Sequence, residues 1–285
     1  MRTKLTFILF LLMPLLVFSQ SQAPKTPADA VELIKRNVTC SWTSPTVDTF
    51  KAGNPESKLD GIAVCMFADM ETLRQAANKG CNFIITHEPV FYNHSDETES
   101  YSDNPVFKEK MQFIKDNGLV IFRFHDHIHK TQPDGISVGM IDKLGLEKHA
   151  VNGSLTHFQI PQNTLAKFAK ELKERLDMQS IRIIGNPDMQ FTKVAFMAGA
   201  PGGQHHIKML NDDEVEVLIA GEANEWETYL YANDAVALNK DKAVIFLGHI
   251  RSEEAGMEYC AQWLKVFIND VPVHFIENKA NFLTF

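Results

Sequence analysis

Short apolar runs that alternate with stretches of helical spacing constrain this chain more than any other feature. Residues 61–67 form a continuous apolar run, residues 70–78 have apolar positions at helical spacing, and Gly80 closes that segment. Residues 82–86 read as a second strand. Strand, helix, strand in that order implies parallel neighbours, because the helix must carry the chain back to the edge where it started. The pattern repeats, with a helix over 107–117 closed by Gly118, a strand over 119–124 and a helix over 138–144. Upstream, Thr26 is placed as an N-cap and Pro27 at the first helical position, where its missing N–H costs nothing; residues 28–37 continue the helix. Residues 43–58, rich in Ser, Thr, Pro and Gly, read as a loop.

A second block starts near Val151. Strands are expected at 157–160, 181–184, 193–197, 215–220 and 242–247, with helices at 164–176, 207–210 and 225–233. A helix over 253–268 and a strand over 273–276 complete the chain. The fold class is therefore α/β, in two parts with mostly parallel sheets flanked by helices.

The 285 residues are 45% apolar, enough for one large core or two smaller ones. Charged residues are 22% of the chain, so disorder is not favoured. The net charge of -8, with no Lys/Arg cluster, argues against nucleic acid as a partner. Residues 1–23 read as a signal peptide: Arg2 and Lys4 precede an apolar run over 5–18, Pro14 interrupts it, and Val17 and Ser19 suit cleavage after Ser19. No Cys follows for a lipid anchor, and no other run is apolar enough to span a bilayer, so an exported, periplasmic or secreted protein without a stable membrane anchor is expected. Cys40, Cys65, Cys81 and Cys260 are even in number, which permits disulfides. Cys65 sits in a strand run and Cys260 in a helix, however, so buried free thiols are expected, and no CxxC pair is present.

Three polar clusters each follow an expected strand, where α/β sheets place their sites. They are Thr86-His87-Glu88-Pro89, His125-Asp126-His127-Ile128-His129 and Gly248-His249-Ile250-Arg251-Ser252-Glu253. Imidazole and carboxylate together suit Zn, Mn, Fe, Ni or Co, whereas an all-oxygen set would suit Mg or Ca. In an extended chain His125, His127 and His129 would point to one side. His249 and Glu253 share a face if their helix starts early. A single His after a strand is ordinarily structural, but five of the 11 histidines lie in these three places. His94, His149, His157 and His274 are isolated and read as structural, and His205 and His206 carry little weight as ligands. The turn Gly199-Ala-Pro-Gly202-Gly203 reads as a tight turn, with an anion cradle at a helix start as the other reading. Glu222 and Glu225 either line a pocket or begin a solvated helix. No G-x-S-x-G elbow and no GK[ST] loop occurs.

These motifs resemble the Nif-three-like family of dinuclear-metal, toroidal hexameric proteins, some of which bear the name GTP cyclohydrolase I type 2. The resemblance runs from about Asp48 to the C-terminus. It rests on ITHEPVFYNH at 85–94, FHDHIHKTQPDG at 124–135, the AGAPGG turn, AGE at 220–222 and GHIRSEEAG at 248–256. It implies two interlocked parts, with residues 24–150 plus 243–285 binding metal and residues 151–242 forming the second domain. It also implies two divalent ions held by His87, Glu88, His129, His249 and Glu253, with Glu253 bridging and His125 standing behind the ligands. Most members have a second His where this chain has Glu88, and an Asp where it has His129; Asp126 and His127 are the alternatives to His129. The expected function is hydrolysis of an unknown small-molecule substrate, of cyclohydrolase, amide or phosphoester type, by a metal-activated water in a homohexamer. A non-enzymatic metal-binding or partner-binding oligomer is the alternative, and an iron oxidoreductase a third reading.

Overall fold

In the computed structural model, which describes residues 23–279 and 282, the chain builds two five-stranded sheets with helices packed on them. The expected leader lies outside the described residues apart from Ala23. The elements run α1 (Pro27–Asn37), β1 (Phe50–Ala52), β2 (Ile62–Cys65), α2 (Met70–Asn78), β3 (Phe83–Thr86), α3 (Pro105–Asp116), β4 (Val120–Arg123), α4 (Asp126–Lys130) and α5 (Gly135–Leu144). The second block follows with β5 (His157–Thr164), α6 (Leu165–Arg175), β6 (Arg182–Ile184), β7 (Gln190–Met197), α7 (Gly203–Leu210), β8 (Val217–Ala220), a π-turn (Glu225–Tyr229), α8 (Leu230–Ala237) and β9 (Ala243–Phe246). α9 (His249–Phe267) and β10 (Val273–Phe275) complete the chain.

The first sheet has the order β1-β4-β3-β2-β10, parallel except for the β1 edge. Its central strands are buried on both faces, as their near-continuous apolar sequences require. Ile62, Val64, Phe83, Ile85, Val120 and Phe122 face α1 and α9, while Ala63, Cys65, Ile84 and Ile121 face the α2 and α3 side. The second sheet has the order β5-β7-β8-β9-β6, with a parallel centre and antiparallel edges. Four places depart from the sequence reading. β1 forms inside the expected loop because Phe50 packs on Phe83 and Phe122. The π-turn and α8 replace one continuous helix over 225–233. β9, assigned above to the metal-binding part, pairs with β8 and β6 in the second sheet. The run at 125–129 is helical rather than extended, for a reason given below.

α9 joins the two halves, with Met257 in the core of the first sheet and Ala255 against that of the second. It lies backbone to backbone on α5. A Cβ on Gly139 would stand 2.3 Å from Ala255 O, and one on Gly256 would stand 2.4 Å from Ile136 Cα. Glycine at both positions therefore sets the depth at which the start of α9 meets the ends of β3 and β4. All four cysteines are free, with Cys65, Cys81 and Cys260 buried and Cys40 partly exposed. No described helix is long and apolar enough to cross a membrane.

Candidate metal centre

His87 and Glu88 leave the end of β3, His125 and α4 follow β4, and His249 starts α9 immediately after β9. The site thus lies where strand ends of both sheets converge. His87 is fully buried, and Glu88 and Glu253 nearly so. His125, His129 and His249 each keep about a quarter of their side chains exposed, at 25%, 28% and 21%. The centre therefore has a dry floor and an open side.

The imidazoles share one arrangement. His87 Nδ1 lies 3.1 Å from Phe124 O, an acceptor only, so Nδ1 carries the proton and Nε2 the lone pair. His125 Nδ1 meets Asp126 Oδ1 at 3.0 Å, His129 Nδ1 meets Asp134 Oδ2 at 3.0 Å, and His249 Nδ1 meets Glu222 Oε2 at 3.0 Å. In all four rings an oxygen holds Nδ1 and Nε2 faces Glu88, Glu253 or, for His87 and His249, both, the arrangement that fixes ring and tautomer in metal-ligating histidines. Glu88 Oε1 lies 3.3 Å from His249 Nε2, 3.6 Å from His125 Nε2 and 4.0 Å from His87 Nε2. Glu253 Oε2 lies 3.2 Å from His249 Nε2 and 3.6 Å from His87 Nε2, and Oε1 lies 3.7 Å from His129 Nε2.

These separations fit donors around a shared cation, since tetrahedral ligands about 2.1 Å from an ion stand roughly 3.4 Å apart. His87 Nε2 and Glu253 Oε2 are buried, without hydrogen-bond partners, and too far apart to bond each other. Leaving a buried atom such as His87 Nε2 bare costs about 1–3 kcal/mol, and a bound cation would remove that cost. Two groups of donors close enough to hold an ion emerge, His87 with His125 and His129, and His87 with Glu88 and Glu253. The residues present fit a metal.

The electrostatics agree. Burial holds the His87 pKa well below the ordinary imidazole value, and the neighbouring His129 and His125 add to the effect, so His87 is a neutral donor. Burial also works against charge on His249, but the Glu253 and Glu88 carboxylates, 3.2 and 3.3 Å from its Nε2, outweigh it and lift its pKa to about 10. In the metal-free site a proton therefore sits between two carboxylates, in a place suited to a cation. Burial pushes Glu88 upward but is outweighed by His249, His125 and Arg123, leaving its pKa lowered.

His127 and Asp126, the alternatives to His129, point elsewhere. The carboxylate of Asp48 accepts the backbone N–H groups of His125, Asp126 and His127 at 2.7, 2.8 and 2.9 Å, which caps a helical turn and rules out the extended form. In that turn His125 and His129, four residues apart, face the centre together. His127 Nδ1 donates to Asp48 at 2.7 Å, its Nε2 accepts from Thr43 N at 2.9 Å, and Trp42 stacks on its ring at 3.7 Å. Both its nitrogens are engaged. Asp126 is occupied by His125, by Thr46 Oγ1 at 2.8 Å and by Val47 N at 3.4 Å. His94, read as isolated, has its ring 6.5 Å from that of His125. Glu222 touches the centre only through His249.

The sequence reading missed Asp48, Asp134 and Arg123. Asp134 was within reach of it, since Asp-Gly before an apolar run marks a helix start; one of its oxygens caps α5 and the other holds His129. The glycine-rich turn is not an open anion cradle. Glu227 lies against Gly203 at the start of α7, and Gln204 and Asn224 donate to its carboxylate. The turn instead makes room for the centre, because a Cβ on Gly199 would stand 2.3 Å from Glu253 Oε1.

A family model described as Duf34/NIF3 (NGG1p interacting factor 3) matches residues 46–281. The chain is 25% identical over 212 residues to a protein of Clostridium acetobutylicum named GTP cyclohydrolase 1 type 2 homolog, covering 70% of this chain and 75% of that one. In fold it is similar to a Bacillus cereus protein related to NIF3, at a TM-score of 0.71 and 15% identity, over 93% of this chain and 100% of the other. A Staphylococcus aureus hypothetical protein gives a TM-score of 0.70 at 16% identity, over 92% and 100%. The family match spans most of the chain, including every donor of the centre, and the protein belongs to the DUF34/NIF3 family.

Proposed function

We propose that the centre holds two divalent transition-metal ions and that the protein is a metal-dependent hydrolase. The observation that carries this reading is the set of four imidazoles, each with Nδ1 held by an oxygen and Nε2 turned toward Glu88, Glu253 or both. Glu253 Oε2, His249 and Glu88 would serve one ion. Glu253 Oε1 with His129 would serve the other, His87 and His125 lying beside them. When bound, such ions supply Lewis acidity that acidifies a water and offsets charge on a leaving oxygen. The chain's own part is to keep His87 neutral and all four imidazoles oriented, to exclude water at His87, and to leave His125, His129 and His249 open to a substrate.

That open side favours catalysis over the alternative of a closed, purely structural metal site. Cyclic amides, phosphoesters and nucleotide rings are the substrate classes to test, the first and last supported by the name of the Clostridium relative. Metal analysis of the purified mature protein should give two ions per chain, and a hydrolase panel should then show turnover that chelator abolishes. Fewer than two ions, or none of these substrates cleaved by the loaded protein, would count against the reading. We also propose export after cleavage between about Ser19 and Ala23, and a homohexamer. Mass spectrometry of the exported chain tests the first, an intact Met1 being the adverse result, and sedimentation tests the second.

A further inference from the structure

We propose that Arg123 is a positioning residue that makes Glu88 a single-oxygen ligand with its charge partly offset. This rests on the metal reading above. Arg123 ends β4 directly beside Thr86 and is fully buried, an unusual place for a guanidinium that stays protonated at every physiological pH. Its Nε donates to His87 O at 3.1 Å and one terminal nitrogen donates to His94 O at 2.6 Å. The other terminal nitrogen, buried and without a hydrogen-bond partner, lies 3.6 Å from Glu88 Oε2.

Glu88 is therefore divided. Oε2 is turned to Arg123, while three Nε2 atoms, of His249, His125 and His87, gather within 4.0 Å of Oε1. The attraction of the guanidinium for Oε2 opposes a swing of the carboxylate that would let both oxygens chelate one ion. The carboxylate's negative charge is partly offset by the guanidinium, which Asp96 Oδ2 also approaches at 3.8 Å, so Glu88 offers an ion one oxygen donor of reduced charge. Arg123 also fixes both ends of the segment from His87 to His94, so a purely structural role must be separated from this one.

Cobalt(II) titration of the full mature chain, followed by visible absorption, makes the separation. In Arg123→Met one cobalt ion should bind at least about tenfold more weakly, the usual effect of losing a partner that orients a ligand, and its absorption band should move. Glu88→Gln should weaken the same ion. In the double variant Arg123→Met/Glu88→Gln the loss should equal that of Glu88→Gln alone, since a neutral amide leaves Arg123 nothing to position. Losses that multiply, or Arg123→Met binding as wild type does, would overturn the proposal. If Arg123→Met does not fold, Arg123→Lys keeps the charge without the fork. It should show a smaller weakening that likewise vanishes on the Glu88→Gln background, and its persistence there overturns the proposal. Wild-type protein that takes up no cobalt overturns the metal reading and this inference together, whereas two ions bound equally well by wild type and Arg123→Met overturn this one alone.

Discussion

The carboxylate of Asp48 and the ring of His127 are joined by a 2.7 Å hydrogen bond in a buried pocket, and the same carboxylate accepts three successive backbone N–H groups from His125 to His127. This one side chain decides that the run is a helical turn and hence that His125 and His129 face the centre. Asp48→Ala leaves four donors without their acceptor, the two on His127 buried and the other two partly so. It should cost about 2–3 kcal/mol in urea unfolding, and Asp48→Asn should cost less. Metal titration of both variants should show weakened binding, because the turn no longer registers its histidines. Unchanged binding by Asp48→Ala would remove Asp48 from any positioning role.

In the proposed two-ion centre Glu253 would be the bridge, its two oxygens lying near different histidines. Glu253→Ala should lower affinity for both ions together, while His249→Ala should mainly affect one. Melting with and without chelator should show a metal-dependent stabilisation in wild type that Glu253→Ala loses. Two ions retained by Glu253→Ala, measured by elemental analysis, would end the bridging assignment.

Gly199 adopts φ +61°, and any side chain there meets Glu253 Oε1. Gly199→Ala should cost about 1–3 kcal/mol in backbone strain and also reduce metal occupancy. Gly80, at φ +72° with nothing within 4 Å of its missing Cβ, is the control. Gly80→Ala should share the strain and leave the metal alone. Equal metal content in the two variants would show that Gly199 matters only for its backbone.

Lys110 is buried, donates to Val90 O at 2.7 Å, and has its pKa drawn down from 10.5 to about 8 by burial, against the pull of Asp69, Cys65 and Asp96. Below about pH 8 the folded chain bears the full penalty of a buried charge. Above about pH 10.5 neither state is charged, so this group's contribution to stability rises across that window. The rise is on the order of 3 kcal/mol. Denaturant melts of wild type and Lys110→Met between pH 7 and about 10.5 should diverge in slope, the difference being the lysine's own. Parallel curves would place an ordinary, solvated ammonium at Lys110.

The sequence by itself determined what depends on local period and residue type. The apolar runs at β2, β3, β4, β8 and β9 and the helices between them follow from spacing, and His87, His125 and His249 sit after strands because strand ends are where polar residues become tolerable. Tertiary structure decided what depends on partners distant in the chain. His125 to His129 looked extended, because nothing within those five residues says which acceptor will take their N–H groups; Asp48, 77 residues upstream of His125, takes them. His127 looks like its neighbours in sequence, yet Asp48 and Thr43 occupy both its nitrogens, while the nitrogens of His129 divide between Asp134 and Glu253. Read from sequence, β9 falls with the metal-binding part, because its apolar run fits either sheet, whereas its pairing with β8 and β6 puts it in the second. A buried Arg123 is the residue type a strand reading least expects, because the Glu88 and Asp96 carboxylates and the carbonyls of His87 and His94 that offset its charge come from the loop after a different strand.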